Sequence, residues 1–395
     1  MVEIGMVLDE LGYIIKNIKK WTVPKKVPTP LSHFPATSYI EQEPYGVVSI
    51  MAPWNYPFLL TMQPLMGALA AGNTCIVKPS RHSINTSEVM KKIINSVFDE
   101  EYVAVVWGEE VSEELLKQDV DYICYTGSER IGKKVMMAAA ERLIPVTLEL
   151  GGKSPCIIDK TANIKLAARR AAFGKILNSG QTCIAPDYFL VHKEVKEKFM
   201  EELQKNIIKM LGEDPLTNKE YPRMINEKQF KKVTEMFVKK DVYYGGKSDL
   251  NTLKIEPTII RATYRSKSMQ EEIFGPLFPI IEYTETTEIV KYITSNPKPL
   301  ALYLFTDDKE VERVILRDVS FGGGCINDTI MHIGSHHMPF GGVGASGMGA
   351  YHGKYSFDTF SHSKPVLRKS NILDLPFRYH PYKKIKYSLI KMFLK

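Results

Sequence analysis

A chain of 395 residues, 44% hydrophobic and 25% charged, has ordinary globular composition and can hold two domains, or one large domain plus an arm. Its 52 basic and 45 acidic residues leave a mild net charge of +7, and no nucleic-acid-binding signature accompanies the lysine groups near either end, so solvated surface is the reading and nucleic-acid partners are excluded. Five cysteines without Cys-x-x-Cys spacing exclude a disulfide framework and a zinc site and point to a reducing, cytoplasmic compartment.

Apolar residues Ile4, Val7, Leu8, Leu11, Ile14, Ile15 and Ile18 recur at helical spacing, which predicts an amphipathic helix over residues 1–20. No basic stretch followed by an apolar core precedes it, so no signal peptide is expected. Pro24, Pro28, Pro30 and Pro35 make residues 21–43 an extended connector or arm. From Pro44 the texture becomes strand, helix, strand. Strand-like runs are Tyr45–Met51, Thr74–Val77, Tyr102–Trp107, Tyr122–Tyr125 and Val146–Leu150. Helical patterns lie between them over Pro64–Ala71, Ser87–Val97 and Ile131–Leu143. Such alternation makes βαβ units and a parallel sheet, which binds a nucleotide at the carboxyl ends of its strands.

The alternation continues with a strand over Cys156–Ile158, a helical pattern over Asn163–Leu177, a strand over Tyr188–His192, a helix over Lys193–Leu211 and a strand over Pro276–Glu282. Residues 321–353 are dense in glycine and lack periodicity, which predicts tight loops against a site or a subunit contact. The last fifteen residues put Ile385, Leu389, Met392 and Phe393 on one helical face among lysines. They read as a docking tail or a helix lying on a membrane surface. No run approaches the roughly 20 apolar residues of a membrane span.

Cys75, Cys124 and Cys156 sit in apolar strands, where a cysteine is most often a small hydrophobe. Cys183 differs. It follows Asn178-Ser179-Gly180-Gln181-Thr182, so it is expected on a turn, partly exposed and surrounded by N–H donors that favour a thiolate. Glu149 is a lone carboxylate in an apolar strand ending in Gly151-Gly152. Partial burial would raise its pKa and fit it for general-base work, the bland alternative being an ion pair with Lys153. Asn55 is held between Pro53 and Pro57, as a preorganised oxyanion donor or an ordinary turn residue. Tyr125-Thr126-Gly127-Ser128-Glu129-Arg130-Ile131-Gly132 leads from a strand into a helix N-terminus, a phosphate-compatible turn that lacks the three-glycine dinucleotide fingerprint. Lys78 and Glu272 could bind ribose hydroxyls, and Phe274 offers an aromatic face.

Together the segments PWNYP, KPS, YTGSERIG, TLELGGKSP, NSGQTC, EEIFGP and PFGGVGASGMG resemble the aldehyde dehydrogenase superfamily, over residues 44–350. GMGAYHGKYSFDTFSH is similar to its class 3, fatty-aldehyde branch in particular. The resemblance implies an α/β fold with a Rossmann-like parallel-sheet cofactor domain, an α/β catalytic domain and a small oligomerisation arm. The expected division is 1–20 and 44–150 for the NAD(P)-binding domain and 151–335 for the catalytic domain. Residues 336–363 would be glycine-rich loops at the site, and 21–43 with 364–395 the arm and tail. Relatives usually carry roughly sixty further residues ahead of this start, so the cofactor domain is expected to be short there.

By the same resemblance Cys183 is the nucleophile and Glu149 the general base, while Asn55 and the Cys183 N–H form the oxyanion hole. Lys78, Arg81, Gly127, Ser128, Gly132, Glu272 and Phe274 fall at positions contacting NAD or NADP, and no metal is implied. Arg81 stands where relatives commonly have a glutamate that repels a 2′-phosphate, so NADP is expected to be accepted. The implied substrate is a medium or long hydrophobic aldehyde, suggested also by Tyr56, Phe58 and Met62, and the implied assembly is a homodimer. Competing readings are a cofactor-independent esterase using the same Cys183 and Glu149, and a family member that has lost catalysis and serves as a binding or structural protein.

Overall fold

The computed structural model describes residues 2–108, 111–374, 378–381, 387, 388 and 391. Its first helix, Ile4–Trp21, forms where the apolar spacing required it, with Lys19 and Lys20 in the last turn opposing the negative end of the helix dipole. Val7, Ile14 and Trp21 bury against Leu59, Met66 and Phe357. The Glu3 carboxylate accepts the amides of Phe58 (2.8 Å) and Leu59 (3.2 Å), satisfying free donors at the start of the next helix, Leu59–Ala70. That helix begins five residues before the expected Pro64, which is buried inside it.

The proline-rich connector contains two strands, Lys25–Val27 and Ala36–Pro44. The second pairs antiparallel along its whole length with Ser361–Lys369, from Ala36 opposite Lys369 to Pro44 opposite Ser361. One continuous strand therefore runs across the break expected at residue 363, and its Pro365, opposite Ile40, is tolerated on an edge strand of this three-stranded sheet.

A six-stranded sheet follows in the order Gly347–Met348, Val146–Glu149, Tyr122–Thr126, Val47–Met51, Thr74–Lys78, Val103–Val105. All its pairings are parallel except that of the short first strand, which runs antiparallel to Val146–Glu149. Helices Ile84–Val97 and Glu129–Ala140 belong to it, the second starting two residues before the expected Ile131. Val48, Ile50, Leu65, Val77 and Val103 fill one core, and Ile123, Val135, Leu148 and Leu150 another.

A seven-stranded sheet has the order Val242–Tyr244, Thr258–Arg261, Leu277–Tyr283, Tyr188–His192, Pro155–Ile158, Ala301–Phe305, Gly323–Ile326. Its central strands are buried on both faces, as the continuous run Tyr188–His192 anticipates. Helices Ile164–Ile176 and Lys196–Leu211 pack on it through Ala167, Ala171, Phe199 and Leu203. The glycine-dense stretch is not all loop. Gly323–Ile326 is a parallel edge strand held by Ala301–Leu304, a case of backbone pairing overriding the weak strand preference of glycine.

No described helix is long and apolar enough to cross a membrane. Ile385, Leu389, Met392 and Phe393, assigned one helical face, lie outside the described residues.

Candidate active site

The loop before Cys183 turns through three consecutive left-handed residues, Asn178 (φ 50°), Ser179 (φ 53°) and Gly180 (φ 71°). For the two non-glycine residues this costs about 1–2 kcal/mol each, so surrounding bonds must hold it. They do. Asn178 Nδ2 donates to Asn55 O (2.8 Å), Ser179 Oγ donates to Pro222 O, and the Gln181 side chain bonds Asn178 O, Arg223 O and Ile225 N. Only glycine fits at 180, since a Cβ there would lie 2.3 Å from Gly275 O. The nucleophile loop and the EEIFGP segment thus interlock through backbone.

Cys183 is half-buried at the meeting point of two cavities. The first, of about 260 Å³, is lined by Asn55, Glu149, Cys183, Glu272 and Phe274 together with Gly127 and Ser128. Residues 219 positions apart in sequence, from Asn55 to Phe274, therefore face one space. The second, of about 60 Å³, is walled by apolar groups including Met6, Leu60, Leu177, Ile330, Ile333 and Phe340. Tyr56 also stands in that wall, its hydroxyl on Thr182 Oγ1 at 2.7 Å. Phe58 and Met62 do not line it and pack toward the first helix instead.

Desolvation pushes the Cys183 thiol up to about 12, reinforced by the nearby carboxyls of Glu272 and Glu149 and opposed by the amides of Cys183 and Ile184. The expected N–H donors are present, but burial wins, and the thiol rests neutral. Glu149 is 3% exposed, with both carboxyl oxygens buried and unpartnered, and burial raises it well above the ordinary carboxylate range. It is not paired with Lys153. That lysine bonds Asp187 Oδ2 at 2.5 Å. Asn55 Nδ2 donates to Gln181 O (3.1 Å), leaving a second amide hydrogen for an oxyanion in the shared cavity.

A groove of about 580 Å³ runs along the carboxyl ends of Val47–Met51, Thr74–Lys78 and Tyr122–Thr126. Lys78, Ser80, Arg81, His82, Gly127, Ser128, Arg130 and Lys134 line it. Ser128 is the N-cap of helix Glu129–Ala140, whose first amides open onto it. Burial, and after it the positive charges of Arg81 and Lys78, hold His82 below its ordinary value. Volume, helix terminus and charge all fit a dinucleotide with its phosphates. Gly132 departs from expectation: it is buried against Leu150, where a Cβ would meet that side chain at 2.6 Å, and it does not line the groove. Among the described residues no group of three or more His, Cys, Asp or Glu could hold a metal.

The Glu272 carboxyl, raised to about 7 by burial and then by Asp187, sits over Gly151 and takes the Gly152 amide. Phe274, with φ 51°, meets the edge of Trp54 with ring centroids 5.5 Å apart. Sequence reading missed Trp54, Gln181 and Lys232, which donates to Glu272 O at 2.9 Å. Trp54 was legible inside PWNYP. Lys232 was not, because nothing in its helix Glu227–Thr234 distinguishes it from a surface lysine.

The aldehyde dehydrogenase family profile matches residues 1–366. The 4,4′-diaponeurosporen-aldehyde dehydrogenase of Staphylococcus aureus is 48% identical over 397 residues, covering 100% of this chain and 86% of that protein. Aldehyde dehydrogenase family 3 member A2 of Pongo abelii is 43% identical over 370 residues, covering 93% of this chain and 76% of that protein. Among solved structures, the substrate-bound state of Staphylococcus aureus AldH superposes with a TM-score of 0.98 at 48% identity, covering 100% of this chain and 86% of that one. A match running through nearly all of a chain with this cleft leaves one conclusion: the protein belongs to the aldehyde dehydrogenase family, in its class 3 branch, and is an enzyme that oxidises aldehydes to acids with NAD or NADP.

Proposed function

We propose that the substrates are medium- or long-chain hydrophobic aldehydes, oxidised through covalent attachment to Cys183. The observation that carries this is the junction at Cys183 of a polar cavity and a small apolar one. The carbons next to the carbonyl enter the apolar cavity, which removes them from water at roughly 25 cal/mol per Å² of apolar surface. The carbonyl then stands at the thiol.

Cys183 gives up its thiol proton to solvent as Sγ bonds the carbonyl carbon, and Asn55 Nδ2 with the Cys183 amide hydrogen-bonds the oxyanion of the thiohemiacetal so formed. The chemistry NAD or NADP would supply when bound is acceptance of the hydride from the thiohemiacetal carbon, which would leave Cys183 carrying a thioester. Glu149 takes a proton from water as that water attacks the thioester carbon, releasing the acid and the thiol. Burial disfavours its ionised form, so a proton taken from the water is readily held. Glu272 would hold ribose hydroxyls, Lys78 a second ribose, and the Ser128 helix terminus the phosphates.

We infer that the six-stranded sheet forms the cofactor-binding part and the seven-stranded sheet the catalytic part. The outer edge of strand Ser361–Lys369 is a candidate dimer contact. Lys78, Arg81, Arg130 and Lys134 around one groove favour acceptance of the 2′-phosphate of NADP.

The test is the initial rate of cofactor reduction with hexanal and benzaldehyde, run with NAD and with NADP, beside Cys183→Ala and Arg81→Glu. Loss of turnover in the first and a shift toward NAD in the second support the proposal. Turnover surviving without Cys183 refutes the mechanism, and an unchanged cofactor ratio in Arg81→Glu refutes the role of the arginine.

A further inference from the structure

Asp187 lies four residues after Cys183, at the entrance to strand Tyr188–His192, and is 3% exposed. Its two carboxylate oxygens go to different places. Oδ2 takes Lys153 Nζ at 2.5 Å, and Oδ1 accepts the amide of Ile273 at 3.0 Å. Lys153 spends its other donors on Ser268 O (2.8 Å) and Glu271 O (2.9 Å). Three segments that carry the chemistry thus converge on one buried carboxylate: Glu149 to Lys153, Cys183 to Asp187, and Ser268 to Phe274.

These partners are not equally secure without Asp187. The nucleophile end is held independently, since Asp187 N donates to Ser154 O (2.8 Å), Ala185 N to Thr182 O (2.9 Å) and the Tyr303 hydroxyl to Ile184 O (2.5 Å). The segment 268–274 lies outside the sheet between a 3₁₀ turn and strand Leu277–Tyr283, and carries Glu272 and Phe274. Its other ties include Lys232 to Glu272 O and Glu271, Gln229 to Ile273 O and Phe274 O, and the Gly152 amide to the Glu272 carboxyl. The Lys232 and Gln229 ties come from a helix flanking the cleft, and the Gly152 amide holds the Glu272 side chain alone. Lys175, 1% exposed, places a further buried charge near Asp187, Lys153 and Glu272. Removing one member of such a group leaves the others desolvated and uncompensated, whereas removing an opposite pair together is milder.

We propose that Asp187 is a positioning residue for the oxidation: through Lys153 and the Ile273 amide it fixes the Glu272–Phe274 segment, and so the cofactor, relative to Cys183. This rests on the reading of Glu272 as a cofactor contact. The experiment compares Asp187→Asn, Lys153→Met, the double variant and Glu272→Gln in the full chain. It reads the dissociation constant for NADPH and NADH by fluorescence, the KM for hexanal, and the rate of Cys183 alkylation by iodoacetamide without cofactor.

The expected result is cofactor affinity weakened about tenfold or more in either single variant, less in the double than the two singles would sum to, with alkylation and aldehyde KM within about twofold. A general loosening of the fold would move all three readouts alike and overturn the proposal. So would unchanged cofactor affinity in Asp187→Asn while Glu272→Gln weakens it. If Glu272→Gln changes nothing, the assignment of Glu272 is what fails. Hydrogen exchange of the wild-type chain needs no variant: slow exchange at the Ile273 amide supports the clamp, and exchange as fast as in exposed loops overturns it.

Discussion

Replacing Gly151 by alanine perturbs the cofactor side of the cleft through a single methyl group. The glycine is not among the positive-φ residues, so alanine fits its backbone and the effect is steric. The added Cβ would lie 2.2 Å from Glu272 Oε2 and 2.8 Å from Oε1. Glu272 must withdraw by roughly 1 Å to regain van der Waals separation, which breaks its bond from the Gly152 amide and the ribose contact proposed for it. A hydrogen bond to a charged group contributes about 1.5–3 kcal/mol. At about 1.4 kcal/mol per decade, cofactor affinity should fall roughly 10- to 150-fold. Fluorescence titration with NADH and NADPH measures this directly, and thiol alkylation of Cys183 should stay near the wild-type rate. Affinity within about threefold of wild type in a folded variant would refute the assignment of Glu272 to the cofactor.

Glu149→Gln should lower steady-state turnover about 10²- to 10⁴-fold while keeping a burst of cofactor reduction close to one per site, seen by stopped flow at 340 nm. Turnover near wild type without a burst would remove Glu149 from thioester hydrolysis. The same residue links stability to pH. Burial raises its folded-state pKa above the unfolded value, so its contribution is present below the ordinary carboxyl range and is lost as pH climbs through the raised value. Glu149→Gln should therefore hold its denaturation midpoint better than wild type on the alkaline side, and an identical decline in both would contradict this. In the apolar cavity, Ile333→Trp should cut kcat/KM for long-chain aldehydes about tenfold or more and spare acetaldehyde; equal losses for both would mean the chain lies elsewhere.

Much of the site could be read in advance because its parts are short linear signals. Cys183 stands in a glycine-bearing loop, Glu149 at a strand end, Asn55 between prolines, and each kept its neighbourhood on folding. What the sequence could not supply was the distance between segments. Lys153 is close to Glu149 in the chain and was the natural partner for it, yet it pairs with Asp187, which no local pattern connects to either. The state of the thiol was likewise illegible: amide donors near Cys183 are a property of the loop, but the burial that overrides them comes from walls contributed by other parts of the chain. Strand Ala301–Phe305 and the pairing of Ser361–Lys369 with Ala36–Pro44 went unread for the same reason, being settled by partners far away in sequence.

The short strand Gly347–Met348 gives the Glu149 carboxyl a history as well as a place. Gly347 pairs with Glu149, and Leu150 N donates to Ser346 O at 3.1 Å, on the side of the strand opposite Thr126. A chain emerging from the ribosome amino end first can assemble Thr126 against Glu149 early. It cannot close the other side until residues about two hundred positions later have been made. The Glu149 carboxyl is thus among the last groups to be fixed during synthesis, and a nascent chain stopped short of Gly347 would carry Cys183, the proposed nucleophile, without a seated Glu149 beside it.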